Sequence, residues 1–205
     1  MVSIIDTGVA NIRSLQASFD RLGQPWQLTT ASESILDSDY VVLPGVGAFG
    51  AAVEQIDRLG IRNSITGRIE SGKPTLCICL GMQLLCSSSL EAPGAHGLGI
   101  IPSQIVRLPD HVQVPQLGWN TVAPARRTTA YFEAGEAYFA NSFCLDSVPD
   151  DWNHAVTEYG CRFVSSFWRG RVLACQFHPE LSGAWGENVI ENWLAGTPIE
   201  CGGQR

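Results

Sequence analysis

No run of apolar residues in this sequence approaches the length a helix needs to cross a membrane. The opening, MVSIIDTGVANIRSL, lacks the basic flank and long apolar stretch of a secretion signal, so a cytoplasmic location is expected. Positive charge is scarce. Lys and Arg total 13 against 20 Asp and Glu, a net charge of −7, which argues against a broad nucleic-acid surface. No Cys-x2-Cys pair with a second ligand pair is present, so neither a metal site nor another cofactor is expected. The seven cysteines are an odd number in a chain without export signals, which argues against a disulfide framework and for buried free thiols. That leaves room for one reactive thiol. Internal repeats, low-complexity tracts and linkers are also missing. One domain over residues 1–205, with a sizeable core, is expected.

The first half alternates β-rich runs with helical patterns. VSIID (2–6), WQLTT (26–30), YVVLP (40–44) and PTLCI (74–78) read as strands. Between them, Ile12, Leu15, Phe19 and Leu22 form a helical stripe, with Asn11 as a candidate N-cap and Gly23 as a stop. Residues 51–71 read as helical with a break near Gly60, and GMQLLCSS (81–88) as the start of a further helix that takes in Cys86. Strand–helix alternation implies a parallel sheet flanked by helices, with sites at the carboxyl ends of its strands. The second half holds short β-type runs (100–108, 119–124, 137–143, 154–160, 162–168 and 171–180) and a last helix over about 184–195. These runs predict antiparallel additions to the sheet. The fold class is therefore α/β: a mostly parallel central sheet with helices on its faces and added antiparallel strands.

Three segments carry candidate chemistry. Cys79 follows an apolar strand, precedes a helix and has Gly81 two residues on, the arrangement of a nucleophile elbow. Such a turn exposes the side chain and aims helix N-terminal N–H groups at the same space, where they favour a thiolate and an oxyanion. In CQFHPEL, His178 and Glu180 stand two apart and would leave an extended strand on one side. Glu180 would then orient the ring while its other nitrogen serves a thiol. In LPGVGAFG the glycines allow backbone N–H groups to turn toward a ligand. Taken singly, each segment has an ordinary reading: core thiols, a surface ion pair and a turn.

Together, PGVG, CLGMQLL and QFHPE resemble the class I (triad) glutamine amidotransferases, whose fold is flavodoxin-like. IIDTGVANIRSL, HGLGIIPSQIVRL, VPQLGWN, AYFANSF and FHPELSG are similar, in family order, to segments of the glutaminase subunits of imidazole glycerol phosphate synthases. The resemblance runs from about residue 4 to 183. It implies that Cys79 is the nucleophile, His178 the general base and acid, and Glu180 the group that orients His178. It implies an oxyanion hole from the backbone of Gly45, Val46, Gly47 and Leu80. L-glutamine would be held by Gln83, Glu91 and the Ser142–Phe143 backbone. Asn11, Trp119 and Asn120 would face a partner, a (βα)8-barrel cyclase subunit that forms a heterodimer with this chain and receives the ammonia.

The sequence departs from that pattern at several positions. Thr7 stands for a usual Tyr, Ala10 for Gly, Gln116 and Asn141 for His, Leu181 for Lys, and Cys77 for the glycine expected two residues before the nucleophile. None belongs to the triad, and several lie in docking segments. Other readings therefore stay open: an ammonia source for another synthase, such as a sugar-amidating one; a silent binding subunit; and a stand-alone cysteine hydrolase.

Overall fold

The computed structural model describes residues 1–8, 12–125, 129–196 and 199–200. The expected cap Asn11 and the departure Ala10 lie outside the described residues. The first half runs β1 (Val2–Ile5), α1 (Ile12–Arg21), β2 (Trp26–Thr29), α2 (Ser32–Asp37), β3 (Tyr40–Leu43), α3 (Phe49–Leu59), α4 (Arg62–Glu70) and β4 (Thr75–Ile78). One helical turn, α5 (Leu80–Gln83), then leads into β5 (Cys86–Ser89). The second half adds β6 (Ile101–Arg107), β7 (Gln116–Pro124), β8 (Thr129–Ala130), β9 (Gly135–Asn141), β10 (Phe143–Cys144), β11 (Asn153–Glu158), β12 (Arg162–Arg169) and β13 (Val172–Cys175). A 3-10 turn (Pro179–Leu181), α6 (Gly183–Ala195) and β14 (Ile199–Glu200) follow.

Among the described residues, nine strands form the main sheet in the order β2-β1-β3-β4-β13-β12-β11-β7-β9. The pairs from β2 through β13 are parallel, and those from β13 to β9 are antiparallel. The expected division into a parallel half and an antiparallel extension is present. A smaller sheet, β10-β6-β5, lies apart.

Strand alternation sends side chains to two cores. Val2, Ile4, Leu76 and Ile78 pack with Leu15 and Phe19 of α1 and with Val189, Ile190 and Trp193 of α6. Ile5, Val41, Leu43 and Cys77 pack with Phe49, Val53 and Ile56 of α3 and Ile65 of α4. The break at Gly60 is real: its φ of 68° ends α3 in the left-handed region that glycine enters without strain.

Two local expectations fail. The helix after Cys79 stops within one turn, and Cys86 starts a strand, although it is buried as expected. The carbonyls of Leu84 and Leu85 leave the helical ladder and accept from Leu98 and Ile101 N–H at 2.7 and 2.9 Å. Pairing with β6 thus outcompetes the weak local helix signal. The short α2 gives little periodic signal and is held from outside. Buried Arg68 donates to the carbonyls of Ile35 and Ser38 at 2.9 and 2.8 Å, and to Pro74 at 2.8 Å. One guanidinium thereby ties the end of α2 and the residue after it to the connection that precedes β4.

Candidate active site

The parallel strands β3, β4 and β13 are neighbours, so the segments leaving their carboxyl ends meet. These segments are 44–48, Cys79 with α5, and 176–180. Cys79 has φ 53° and ψ −108°, a left-handed conformation that strains a residue with a Cβ by about 1–3 kcal/mol. It is held there by its own N–H on the Cys175 carbonyl at 2.7 Å and by its carbonyl accepting from Gln83 N–H at 3.1 Å. A Cβ on Gly81 would lie 2.0 Å from the Leu43 carbonyl oxygen, and one on Gly45 would lie 2.9 Å from the Leu80 Cβ. The elbow is therefore pressed against the end of β3 through two positions that admit no side chain. Cys77, in the middle of β4, is fully buried in the core, and that burial pushes its thiol far above the ordinary range. It packs as an inert thiol.

His178 reaches the site from the chain after β13. Its N–H donates to the Tyr138 carbonyl at 2.9 Å, and its carbonyl accepts from the Ser182 hydroxyl at 2.6 Å. Its Nδ1 lies 2.8 Å from Glu180 Oε1. The pair forms as expected by a different route: Glu180 sits in the 3-10 turn, not on an extended strand. Burial alone would lower the His178 pKa. Hydrogen bonds to Cys79 and Glu180, and the charges of both, outweigh it and raise the pKa from 6.5 to about 10. The folded state therefore holds a proton that the unfolded chain releases near 6.5. This contribution to stability is complete below that pH and is lost as pH rises toward about 10. The resistance of the wild type to urea should accordingly fall over this window more than that of Glu180→Gln, which removes one cause of the shift. Equal pH slopes for the two would refute the assignment.

A cavity of about 210 Å³ opens at the elbow. Val46 and Gly47 line it from the loop after β3, and Cys79, Leu80 and Gln83 from the elbow. Glu91 lines it from the loop after β5, and Asn141, Ser142 and Phe143 from the end of β9. All the residues expected to hold glutamine thus surround one space beside the expected nucleophile. Two are already engaged. Glu91 Oε2 accepts from Phe49 N–H at 2.8 Å, at the first turn of α3. Gln83 Nε2 donates to the Phe143 carbonyl at 3.2 Å and to Gln176 Oε1 at 2.9 Å, which leaves Gln83 Oε1 for a ligand. The Leu80 N–H, expected in the oxyanion hole, donates to the Gly45 carbonyl at 3.2 Å. In this structure that donor is occupied.

Residues 3–196 match the family described as glutamine amidotransferase class-I. The chain belongs to that family.

Among curated relatives of this class-I amidotransferase, the imidazole glycerol phosphate synthase subunit HisH of Methanothermobacter thermautotrophicus is 37% identical over 195 residues, covering 95% of this chain and 98% of the relative. HisH of Caldanaerobacter subterraneus subsp. tengcongensis is 36% identical over 205 residues, covering 98% and 100%. A crystal structure of a glutamine amidotransferase superposes with a TM-score of 0.76 at 18% identity, covering 95% of this chain and 97% of the other. The PurLQS structure from Thermotoga maritima gives 0.71 at 17% identity, with the same coverage. These last two likenesses support the fold.

Of the expected partner-facing residues, Trp119 and Asn120 are described. Trp119 is 57% exposed and stands edge-on to Tyr138, with ring centroids 6.3 Å apart. Asn120 donates its Nδ2 to the Glu158 carbonyl at 3.0 Å. Asn11 lies outside the described residues. Gln116 and Asn141, the two departures from His, face each other across β7 and β9, and both are buried. Sequence reasoning missed Gln176, which is fully buried and donates Nε2 to Cys79 Sγ at 3.6 Å. The available signal was its position two residues before His178 in the β-type run expected over 171–180, although β13 ends at Cys175.

Proposed function

We propose that this chain is the glutaminase subunit of an imidazole glycerol phosphate synthase and works through Cys79, His178 and Glu180. The observation that carries the reading is the cavity that joins Cys79 to Gln83, Glu91 and the Ser142–Phe143 segment. Full-length similarity to HisH subunits supports the pathway.

The Cys79 sulfur attacks the side-chain amide carbon of L-glutamine. The carbonyl pair moves onto oxygen and returns as the C–N bond breaks, and His178 gives the departing nitrogen its proton, releasing ammonia. Water then attacks the thioester while His178 takes up its proton, and the C–S bond breaks to give glutamate. Glu180 on Nδ1 keeps the ring turned so that Nε2 serves the sulfur. Glu91 supplies a carboxylate for the substrate ammonium. The carbonyl oxygen needs N–H donors as it gains charge. Leu80 can serve only after the Gly45 carbonyl lets go of it, a contact that costs the free subunit activity. Ammonia is useful only if it avoids bulk water, which favours delivery into a (βα)8-barrel cyclase in a heterodimer.

The subunit alone should hydrolyse glutamine weakly. Addition of a barrel cyclase with its nucleotide ligand should raise the rate by about 10²–10³-fold, the worth of one oxyanion donor. Steady-state glutamate release, measured with the histidine-pathway cyclase and with a sugar-amidating synthase in parallel, tests this. Stimulation by the second alone would reject the histidine assignment.

A further inference from the structure

The mechanism above uses Cys79, His178 and Glu180 and leaves unused a chain of buried amides that ends on the same sulfur. The chain starts at the Phe143 carbonyl, which can only accept. It accepts from Gln83 Nε2 at 3.2 Å and from Asn141 Nδ2 at 3.0 Å. That contact fixes which end of the Gln83 amide carries nitrogen. The same Nε2 donates to Gln176 Oε1 at 2.9 Å, so the Gln176 amide is fixed in turn. Its remaining end, Nε2, is the one that meets Cys79 Sγ at 3.6 Å. A flipped Gln176 would set two N–H donors against each other and turn its oxygen toward the sulfur.

The backbone holds this arrangement. Gln176 N–H donates to the Ser165 carbonyl at 2.9 Å, and Gln83 N–H to the Cys79 carbonyl at 3.1 Å. Gln176 is 0% exposed and Gln83 5%. Two buried amides cost desolvation that apolar side chains would not, so their mutual satisfaction is needed for them to persist here. A neutral N–H donor favours a charged sulfur over a protonated one and cannot compete for the proton that His178 handles. Gln176 and His178, two apart on one segment, therefore give the sulfur a fixed donor and a mobile proton.

We propose that Gln176 is a further functional residue of this site: aimed by Gln83, its N–H holds the Cys79 sulfur and stabilises it as the attacking thiolate, tying the nucleophile to the Phe143 segment that lines the glutamine cavity. The proposal rests on the glutaminase reading for its kinetic consequence, but its effect on the sulfur does not.

The test alkylates the full-length protein with iodoacetamide from about pH 5 to 10, the range over which thiols and histidine titrate. Modification at Cys79 is followed by peptide mass spectrometry, with fragmentation separating Cys79 from Cys77. In Gln176→Met, which keeps the length and loses the donor, half-maximal alkylation should move up by about one pH unit. It should move further in Gln176→Glu, and less but in the same direction in Gln83→Met, which frees the amide. With a stimulating cyclase, kcat of Gln176→Met should fall about tenfold while KM changes by less than about twofold. A wild-type alkylation profile in Gln176→Met, or a raised KM with unchanged kcat, would overturn the proposal. If Gln176→Met fails to fold by thermal melting, Gln176→Glu and Gln83→Met decide by the same alkylation profile. A wild type that no synthase stimulates would sink the glutaminase reading and still leave the alkylation profiles to decide on Gln176.

Discussion

Cys79→Ala is expected to lower cyclase-stimulated glutamine hydrolysis by about 10⁴-fold or more, the scale of removing a nucleophile from an intact triad. The substitution deletes one sulfur from a residue that is 6% exposed and leaves the neighbouring elbow contacts in place. Its fold should survive, because alanine keeps the Cβ at this strained position and losing the Sγ asks nothing new of the backbone. Folding therefore does not confound the assay. Glutamine should still enter the cavity, because the Gln83, Glu91 and Ser142–Phe143 groups remain. Binding by calorimetry together with loss of turnover would separate the nucleophile from the rest of the site. Full activity in Cys79→Ala would mean that another group attacks the amide, and Cys77 in the buried core could not be that group.

Gly81→Ala is expected to destabilise the protein by about 3 kcal/mol or more and to abolish activity with it. The new Cβ would sit 2.0 Å from the Leu43 carbonyl oxygen and 3.0 Å from the Leu43 carbonyl carbon, both backbone atoms of the central strand β3. Neither can move without breaking the β3–β4 pairing, so the elbow must lift. Gly67→Ala is the matched control. Gly67 lies in the interior of α4 with nothing within 4 Å of the added methyl and no left-handed φ. There alanine should be neutral or stabilising by about 0.5–1 kcal/mol, because glycine costs a helix that much. Urea unfolding of both variants decides the matter. Equal midpoints would show that the close approach at Gly81 carries no strain.

Much of the site was legible because its local parts are encoded locally. Apolar β-branched runs fall at β1, β3 and β4, helical spacing falls at α1 and α3, and glycine stands where α3 ends. The Cys79 elbow needs only a strand, a cysteine and Gly81 in sequence, and the His178–Glu180 pair lies within three residues. Such features do not depend on what the rest of the chain does. The β5 strand at Cys86 was not legible, since its partner β6 decides it and lies 15 residues on.

The sequence by itself determined the alternation of elements, the strained turn and the identity of the residues around the cavity. Tertiary structure alone decided which of their hydrogen-bonding groups are free. Placing β13 beside β4 brings Gln176, 97 positions from Cys79, onto its sulfur. Pressing the loop after β3 onto the elbow spends the Leu80 N–H on the Gly45 carbonyl. The Phe143 carbonyl settles which way two buried amides point. Side-chain periodicity is a property of a single segment, whereas a donor's partner depends on register and distance between segments that only the packed sheet brings together.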